Sequence, residues 1–133
     1  MNTNTARRAF YAVSLLAVAA AFFQPHVAEA ADRVYLSKPE VEASLVGKGV
    51  LSKNLQSGKL SHWEFRRDGT VEAVNRSGFG KASGTWMVHD DGKTCVTMMN
   101  RTGCRYWFRN ADAYANADSM APDAPVVAEV RYE

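Results

Sequence analysis

The sequence predicts a mainly β protein, a small antiparallel β-barrel or half-barrel with one short N-terminal helix. Three observations lead to this prediction. Several short segments alternate apolar and polar residues with a period of two, as strands with one buried face do. Asp–Gly and related turn signals separate these segments at short, regular intervals. A helical capping pattern precedes the alternating segments, which places the helix near the start of the domain.

The helix is expected between Ser37 and Gly47. Ser37 can cap the first turn, and Glu40 follows three residues later, which is the spacing of a capping box. Pro39 occupies the first turn, where its missing N–H removes no hydrogen bond, and Gly47 suits the C-terminal stop. Because the helix is short, it needs to pack against another element to persist.

Beyond the helix, the alternation predicts a series of strands joined by tight turns. Trp63 and Phe65 share one face of the first such segment, and Asp68–Gly69 is a hairpin turn signal. We expect strands at 61–66, 70–75, 84–89, 94–99, 104–109 and 126–132. The neighbourhood of residue 35 and the segment 49–54 are further candidates, and 110–125 is predicted to be mostly loop with a short strand around Tyr114.

Residues 1–30 are predicted to be a signal peptide, which leaves 31–133 as a single β-rich domain. Arg7 and Arg8 precede an apolar run from Ala9 to Phe23, and an A-x-A pattern ends at Ala30. An uncleaved anchor is the alternative, but the run is shorter than the about 20 residues that a span needs. The paired arginines also fit a twin-arginine signal, although we favour the general secretory route. We therefore expect a periplasmic or secreted protein without a stable membrane anchor.

The charge balance argues against nucleic acid as a partner. Removing residues 1–30 reduces the 16 basic and 14 acidic residues of the chain to 14 and 13, a net charge of +1. General binders of nucleic acid or of membrane surfaces usually show a basic field. We expect a monomer whose partner is a small molecule or another exported protein.

The two cysteines, Cys95 and Cys104, are predicted to form a structural disulfide. An oxidising compartment favours pairing, and only one pairing exists. The two residues would lie opposite each other on a hairpin if an even number of residues formed its loop. A redox pair normally has C-x-x-C spacing, and a structural zinc site needs four ligands with paired spacing. We therefore expect neither a metal nor a cofactor.

The disulfide also sorts the neighbouring side chains into two faces. Tyr106 and Phe108 would point the same way as the cysteines and are expected in the core. The opposite face carries Trp107 between Arg105 and Arg109, which could bind an anionic or aromatic ligand by charge and stacking. The alternatives are that the arginine stems cover Trp107 on a solvated face, or that another layer of the protein buries it.

Trp63 and Trp86 pose a related choice. Both alternate with polar neighbours, so both are expected to face inward. In a small closed barrel they would fill the core, and in a wider one they would line a ligand cavity. The candidate ligand-binding residues are therefore Trp63, Trp86, Arg105, Trp107 and Arg109.

The sequence offers little support for an enzyme. No serine occupies a nucleophile elbow, and the predicted disulfide consumes both thiols. His62 and His89 alternate with core aromatics on strands, which favours surface positions, and Asp90–Asp91 precede a glycine in a turn. We expect no catalytic residue.

The arrangement of these motifs resembles small exported bacterial proteins grouped as domains of unknown function. The shared pattern consists of an Asp–Gly turn (Asp68–Gly69), a G-x-W element (Gly84–Thr85–Trp86), a second Asp–Gly turn (Asp91–Gly92) and one cysteine on each of the next two strands. The G-x-W element is also similar to the lipocalin and calycin signature, although there it lies near the first strand. The resemblance implies a small β-barrel or half-barrel and no particular activity.

Two functions follow as hypotheses. The first is a non-enzymatic, extracytoplasmic β-barrel that binds a small ligand. The alternative is an interaction or inhibitor protein that docks another exported protein through the disulfide-stapled hairpin and its tip "MMNRTG".

Overall fold

The computed structural model describes residues 33–133, which form one helix and a closed antiparallel barrel of eight strands. This confirms the predicted fold class. The elements are α1 (Lys38–Leu45), β1 (Gly49–Asn54), β2 (Leu60–Phe65), β3 (Thr70–Asn75), β4 (Lys81–Val88), β5 (Thr94–Met98), β6 (Arg101–Asn110), β7 (Ala113–Ala117) and β8 (Val126–Tyr132). The signal peptide predicted at 1–30 lies outside the described residues. Within 33–133, no helix is long and apolar enough to cross a membrane.

Each strand pairs with the next, and β8 pairs with β1, so the connections alternate between two ends of the barrel. The end that we call the closed end carries α1 and the turns 66–69, 89–93 and 111–112. The other end, called the open end, carries the loops 55–59, 76–80, 99–100 and 118–125. This alternation decides which loops can border a site inside the barrel.

Helix α1 begins where the capping pattern predicts. The backbone N–H and the hydroxyl of Ser37 both donate to Glu40 Oε2, at 2.8 and 2.9 Å. These bonds satisfy an N–H that the helix itself leaves without a partner. On the inner face, Val41 and Leu45 are almost completely buried against the barrel core. The helix therefore caps the closed end, and this packing supplies the partner that so short a helix needs.

The main core fills the closed half of the barrel. Its members are apolar side chains from α1, from Leu36 just before α1, and from the inward-facing strand positions. The largest fully buried ones are Leu45, Val41, Val50, Val71 and Val130. Since β-branched residues suit strands and pack well on a pleated surface, valine dominates this layer.

A second apolar cluster lies outside the barrel wall, on β6 and β7. Phe108 is buried there together with Ala115, Ala117 and Ala124. Tyr35, in the segment before α1, covers this cluster with its ring centroid 5.4 Å from that of Phe108. The segment around residue 35 forms a single bridge to Phe108 rather than a strand.

The outer cluster corrects the expectation that Tyr106 and Phe108 belong to the main core. Both do share a face with the cysteines, but the curvature of the barrel turns that face outward. Phe108 is buried only because the N-terminal segment crosses over it, whereas Tyr106 is half-buried at the edge of this cover. The interior instead receives the face that carries Trp107.

The hairpin of β5 and β6 is joined by the disulfide in the predicted register. Cys95 and Cys104 are directly paired, with 4.0 Å between their Cα atoms. This register leaves a two-residue loop, Met99–Asn100, and both residues have positive φ, at 49° and 60°. Positive φ at both positions is the requirement of a type I′ turn, which matches the right-handed twist of the strands. Gly103 therefore belongs to β6 and not to the turn.

The glycine of the G-x-W element is required by close packing of the backbone. A Cβ placed on Gly84 would lie 2.0 Å from the carbonyl oxygen of Thr97 on the neighbouring strand β5. No side chain fits at that distance. The glycine of the motif is thus explained by the close approach of β4 and β5. Trp86, two residues after Gly84 on β4, points inward like Gly84.

Removing the disulfide is expected to destabilise the barrel without changing its fold. Replacing both Cys95 and Cys104 by alanine should lower the free energy of unfolding by about 2–3 kcal/mol, because the crosslink closes a short loop in the unfolded chain. Urea unfolding followed by circular dichroism measures this difference. The reduced wild-type protein is the matched control and should lose a similar amount, and unchanged stability in both would contradict the prediction.

Acid is expected to destabilise the barrel in the range where its carboxyl groups titrate. Hydrogen bonds from Ser37 hold the pKa of Glu40 below its usual 4.5, and those from Thr70 hold the pKa of Asp68 below its usual 3.8. A lowered pKa in the folded state gives a contribution that is complete above the usual value and is lost as pH falls through the folded value. The melting temperature should therefore be level from about pH 6 to 5 and decline below about pH 4.5.

Amide variants test the origin of this acid response. Glu40→Gln and Asp68→Asn should each reduce the drop in melting temperature on acidification, because the group that titrates has been removed. Glu129→Gln, on the exposed outer wall, is the control. A melting temperature that does not respond to pH below about 4.5 would contradict this explanation.

Candidate functional site

A cavity of about 450 Å³ occupies the open half of the barrel. Inward-facing residues of β1, β2, β5, β6, β7 and β8 line it, together with loop residues of the open end. Val50, Phe65 and Ala128, at its inner end, also belong to the core that the helix covers. The cavity is thus the unfilled continuation of the core, and it opens between the loops opposite α1.

The walls of the cavity are mainly apolar. Trp63 on β2 and Trp107 on β6 contribute aromatic surface, and Val96 and Met98 on β5 contribute aliphatic surface. Trp63 is held in place by stacking on Phe65, with the ring centroids 6.0 Å apart and the planes 13° from parallel. Such walls suit an apolar or aromatic group of a ligand.

Gly103 leaves part of this cavity open. It lies on β6 two residues before Arg105, at a position whose side chain would point inward, and a Cβ built there meets no atom within 4 Å. Unlike Gly84, therefore, Gly103 is not required by neighbouring atoms. Its effect is to keep space free beside the aromatic walls.

Two polar atoms inside the barrel have no partner among the described residues. They are the indole Nε1 of Trp107 and the amide Oδ1 of Asn116, both fully buried. The two residues are directly paired on β6 and β7, and both line the cavity. Because a buried donor or acceptor without a partner costs about 1–3 kcal/mol, both atoms are suited to bond a polar group that enters the cavity.

Positive charge lies towards the mouth of the cavity. Lys59, Arg101 and Arg105 line it, and none of its lining residues in the described part of the chain is acidic. Arg105 is 37% exposed and donates from Nη1 to the carbonyl oxygen of Cys104. The same nitrogen lies 2.8 Å from Oδ1 of Asp118, which is 72% exposed on the 118–125 loop. The guanidinium is therefore oriented, and its acidic partner is mostly in solvent.

The structure brings three of the five candidate site residues together. Trp63, Arg105 and Trp107 all line the cavity. Trp86 also points inward but lies at the closed end, where its Nε1 donates to the carbonyl oxygen of Arg66 and its ring packs edge-on against Phe65. Trp86 borders a separate pocket of about 520 Å³ beside α1, which is less apolar than the barrel cavity.

Arg109 is also remote from the cavity. Its guanidinium carbon lies 5.5 Å from the ring centroid of Tyr114, at the closed end. The face that carries Arg105, Trp107 and Arg109 thus points into the barrel, but its residues are distributed from the cavity to the opposite end. Trp107 is buried in the core that α1 and β8 also form, whereas Arg109 is exposed.

A hydroxyl network anchors the helix beneath the cavity. Tyr132 donates to the backbone oxygen of Ser44 at 3.0 Å, and the hydroxyl of Ser44 lies 3.2 Å from that of Tyr114. Burial raises the pKa of Tyr132 to about 12, and the hydrogen bond with Tyr114 acts in the same direction. Hydrogen bonds from Ser44 and Tyr132 lower the pKa of Tyr114. These groups bond one another and have a structural role.

Sequence reasoning missed the polar and small residues of the cavity. Asn116 lies in a segment that we expected to be mostly loop, although the alternation of Tyr114 and Asn116 with alanines is a strand signal. Gly103 is part of the predicted hairpin tip "MMNRTG", whereas in the structure it lies on β6. Lys59 and Arg101 carried no local signal, because their approach to the cavity depends on barrel closure.

Among residues 33–133, no three His, Cys, Asp or Glu side chains are placed to hold a metal ion. No protein-family model matches the chain, and a search of curated proteins finds no match. The function therefore has to be argued from the cavity itself.

Replacing Asn116 by leucine is expected to stabilise the barrel. The change removes a buried acceptor that lacks a partner and adds apolar contact, so the free energy of unfolding should rise by about 1 kcal/mol. Urea unfolding measures the change. Asn110→Leu, at the exposed end of β6, is the control and should have little effect. A loss of stability in Asn116→Leu would show that Asn116 has a structural partner.

Proposed function

We propose that this is a non-enzymatic, extracytoplasmic protein that binds a small amphipathic organic anion inside its barrel. The observation that carries the proposal is the cavity, which combines apolar walls, an oriented arginine and two unpartnered polar atoms. Its volume of about 450 Å³ falls within the range of about 300–1,000 Å³ that small-molecule sites occupy.

The apolar part of the ligand would lie between Trp63 and Trp107. Burial of an aromatic or aliphatic group against these indoles removes apolar surface from water, and ring stacking adds to this gain. A polar group of the ligand at the inner end would accept a hydrogen bond from Trp107 Nε1 and donate one to Asn116 Oδ1. A hydroxyl group can do both.

The charged group of the ligand would lie near Arg105. A carboxylate or sulfonate can share the guanidinium with Asp118, or displace that carboxylate into solvent, where it is already mostly exposed. Lys59 and Arg101 add positive charge at the mouth, which favours anions over cations of the same size.

The architecture and the disulfide support this proposal. Eight antiparallel strands closed around a cavity that opens at one end form a lipocalin-like barrel, in which one small ligand can be held. A disulfide between Cys95 and Cys104 is what an oxidising compartment provides, in keeping with the periplasmic or secreted location that the N-terminal segment predicts. Membership of the small exported family suggested by the turn and G-x-W pattern is part of the same proposal.

Filling the cavity should abolish binding while the fold is retained. Anilinonaphthalene sulfonate, an aromatic anion that fluoresces in apolar surroundings, is the probe. Gly103→Leu should weaken its binding about tenfold or more, because the new side chain occupies the space that Gly103 leaves. Thr102→Leu, whose side chain points outward on the same strand, is the matched control and should bind like the wild type.

The charge requirement can be measured separately. Arg105→Gln should weaken sulfonate binding about tenfold, since a charged hydrogen bond is lost, but should change the binding of the uncharged N-phenylnaphthylamine less than about twofold. Equal loss for both compounds would contradict the role given to Arg105. Binding that survives Gly103→Leu would contradict the cavity as the site.

The alternative function, docking of another exported protein through the stapled hairpin, has the exposed tip residue Met99 in its favour. The inner face of the same hairpin lines the cavity, however, which gives it a role in the barrel without a partner protein. Recovery of partners from a periplasmic extract with wild type and Arg101→Ala compares the two: equal recovery counts against docking by the tip.

A further inference from the structure

Large apolar side chains are exposed on every loop of the open end. We call these four residues the rim: Leu55, Phe79, Met99 and Met120, which are 43%, 105%, 79% and 48% exposed. They lie one to a loop, in 55–59, 76–80, 99–100 and 118–125. The three turns of the closed end, 66–69, 89–93 and 111–112, contain no large apolar residue. Val34, Met87 and Tyr132 are also exposed elsewhere on the described structure, but only the open end carries a large exposed apolar side chain on each of its loops.

The backbone around Met99 and Phe79 gives no folding reason for a large apolar side chain at either position. Met99 has a φ of 49° in a turn whose positions favour asparagine and glycine, so a fully solvated apolar side chain there brings no folding advantage. Phe79 stands between Gly78 and Gly80, where no neighbouring side chain shields its ring. Phe79 is thus fully exposed, whereas Met99 is mostly exposed and also borders the cavity.

Positive charge accompanies the rim on three of its four loops. Lys59 and Arg76 belong to the 55–59 and 76–80 loops, and Arg101 follows Met99–Asn100; these two loops and the turn contain no acidic residue. Arg76 also contacts Glu133 at 3.2 Å. The fourth loop carries Asp118 and Asp123, the first of which is paired with Arg105. Arg76 and Arg105 are thus each paired with a carboxylate, whereas Lys59 and Arg101 have no acidic partner among the described residues and provide the positive charge at the cavity mouth.

We propose that the open end docks reversibly on an anionic lipid bilayer. The rim side chains would enter the boundary between head groups and acyl chains, while the cations meet lipid phosphates. A fluid lipid surface accepts protruding side chains on four separate loops, whereas a protein partner would need a matching recess for each and would have to bridge the cavity mouth. The net charge of +1 indicates that charge alone is not enough, so docking depends on apolar insertion at this end.

This surface overlaps the cavity mouth at Met99, Lys59 and Arg101 but extends beyond it to Leu55, Phe79 and Met120. Among the rim side chains, only Met99 also lines the cavity. A variant with the cavity filled, Gly103→Leu, should therefore still dock. Loss of ligand binding and loss of docking can be distinguished by separate substitutions.

Flotation with lipid vesicles tests the proposal. The protein used consists of residues 31–133, because the apolar segment within residues 1–30 would itself partition into lipid. Binding to phosphatidylcholine vesicles that contain phosphatidylglycerol should exceed binding to pure phosphatidylcholine by about fivefold or more, and high salt should reduce it. Phe79→Ser combined with Met99→Ser should lower binding to the anionic vesicles about tenfold.

Matched controls separate the rim from general apolar exposure. Met87 is 57% exposed on the outer wall of β4, away from the open end, and Met87→Ser should bind vesicles like the wild type. Phe79→Trp should show tryptophan emission shifted to shorter wavelength with anionic vesicles, measured as a difference from wild type, and Met87→Trp should not. Melting temperatures confirm that the exposed substitutions leave the fold intact.

Three results would overturn the proposal. They are the absence of wild-type binding to both kinds of vesicle, an equal loss of binding in Met87→Ser, and an emission shift at position 87 but not at 79. The rim is a protein interface instead if the wild type does not bind vesicles and Phe79→Ser abolishes one of two other activities. These are the recovery of a periplasmic protein and self-association.

Discussion

The register between β5 and β6 is the constraint on which the remaining arrangement of this barrel depends. Side chains alternate between the two faces of a strand, so a shift of one residue would exchange inside and outside along all of β6. The covalent pairing of Cys95 with Cys104 excludes that shift. It directs Arg105 and Trp107 into the barrel and Phe108 to the outer wall, where Tyr35 covers it. The two-residue turn and the charge at the cavity mouth follow from the same pairing.

Local sequence patterns predicted the elements of the fold because strands, turns and helix caps depend on residues that are close in sequence. The alternation around Trp63, the Asp68–Gly69 turn and the Ser37–Glu40 cap all correspond to the observed structure. Inside and outside were harder to assign, since a closed barrel can bury aromatic residues on both sides of one strand. Phe108 is buried only through a contact with a segment about 70 residues earlier in the chain, which no local pattern reveals.

The candidate site was predictable only where it coincides with large aromatic or charged residues. Trp63, Arg105 and Trp107 could be identified by residue type and strand parity. Trp86 and Arg109 satisfy the same criteria but lie at the closed end, because position along the barrel axis depends on strand stagger rather than on alternation. Asn116 and Gly103 act through an unpaired atom and an absent side chain, and neither is apparent before the facing strands are known.

The pairing of the first strand with the last determines when the barrel can close during folding. Lys53 on β1 meets Glu129 on β8, so closure needs nearly the whole domain to be available at once. Contacts this distant in sequence form late and slowly, since a long loop must close before they contribute. A nascent chain that lacks its last few residues therefore has no closed wall and no sealed core. Until β8 has been synthesised, the inward-facing apolar residues of the other seven strands therefore have no closed barrel to fill.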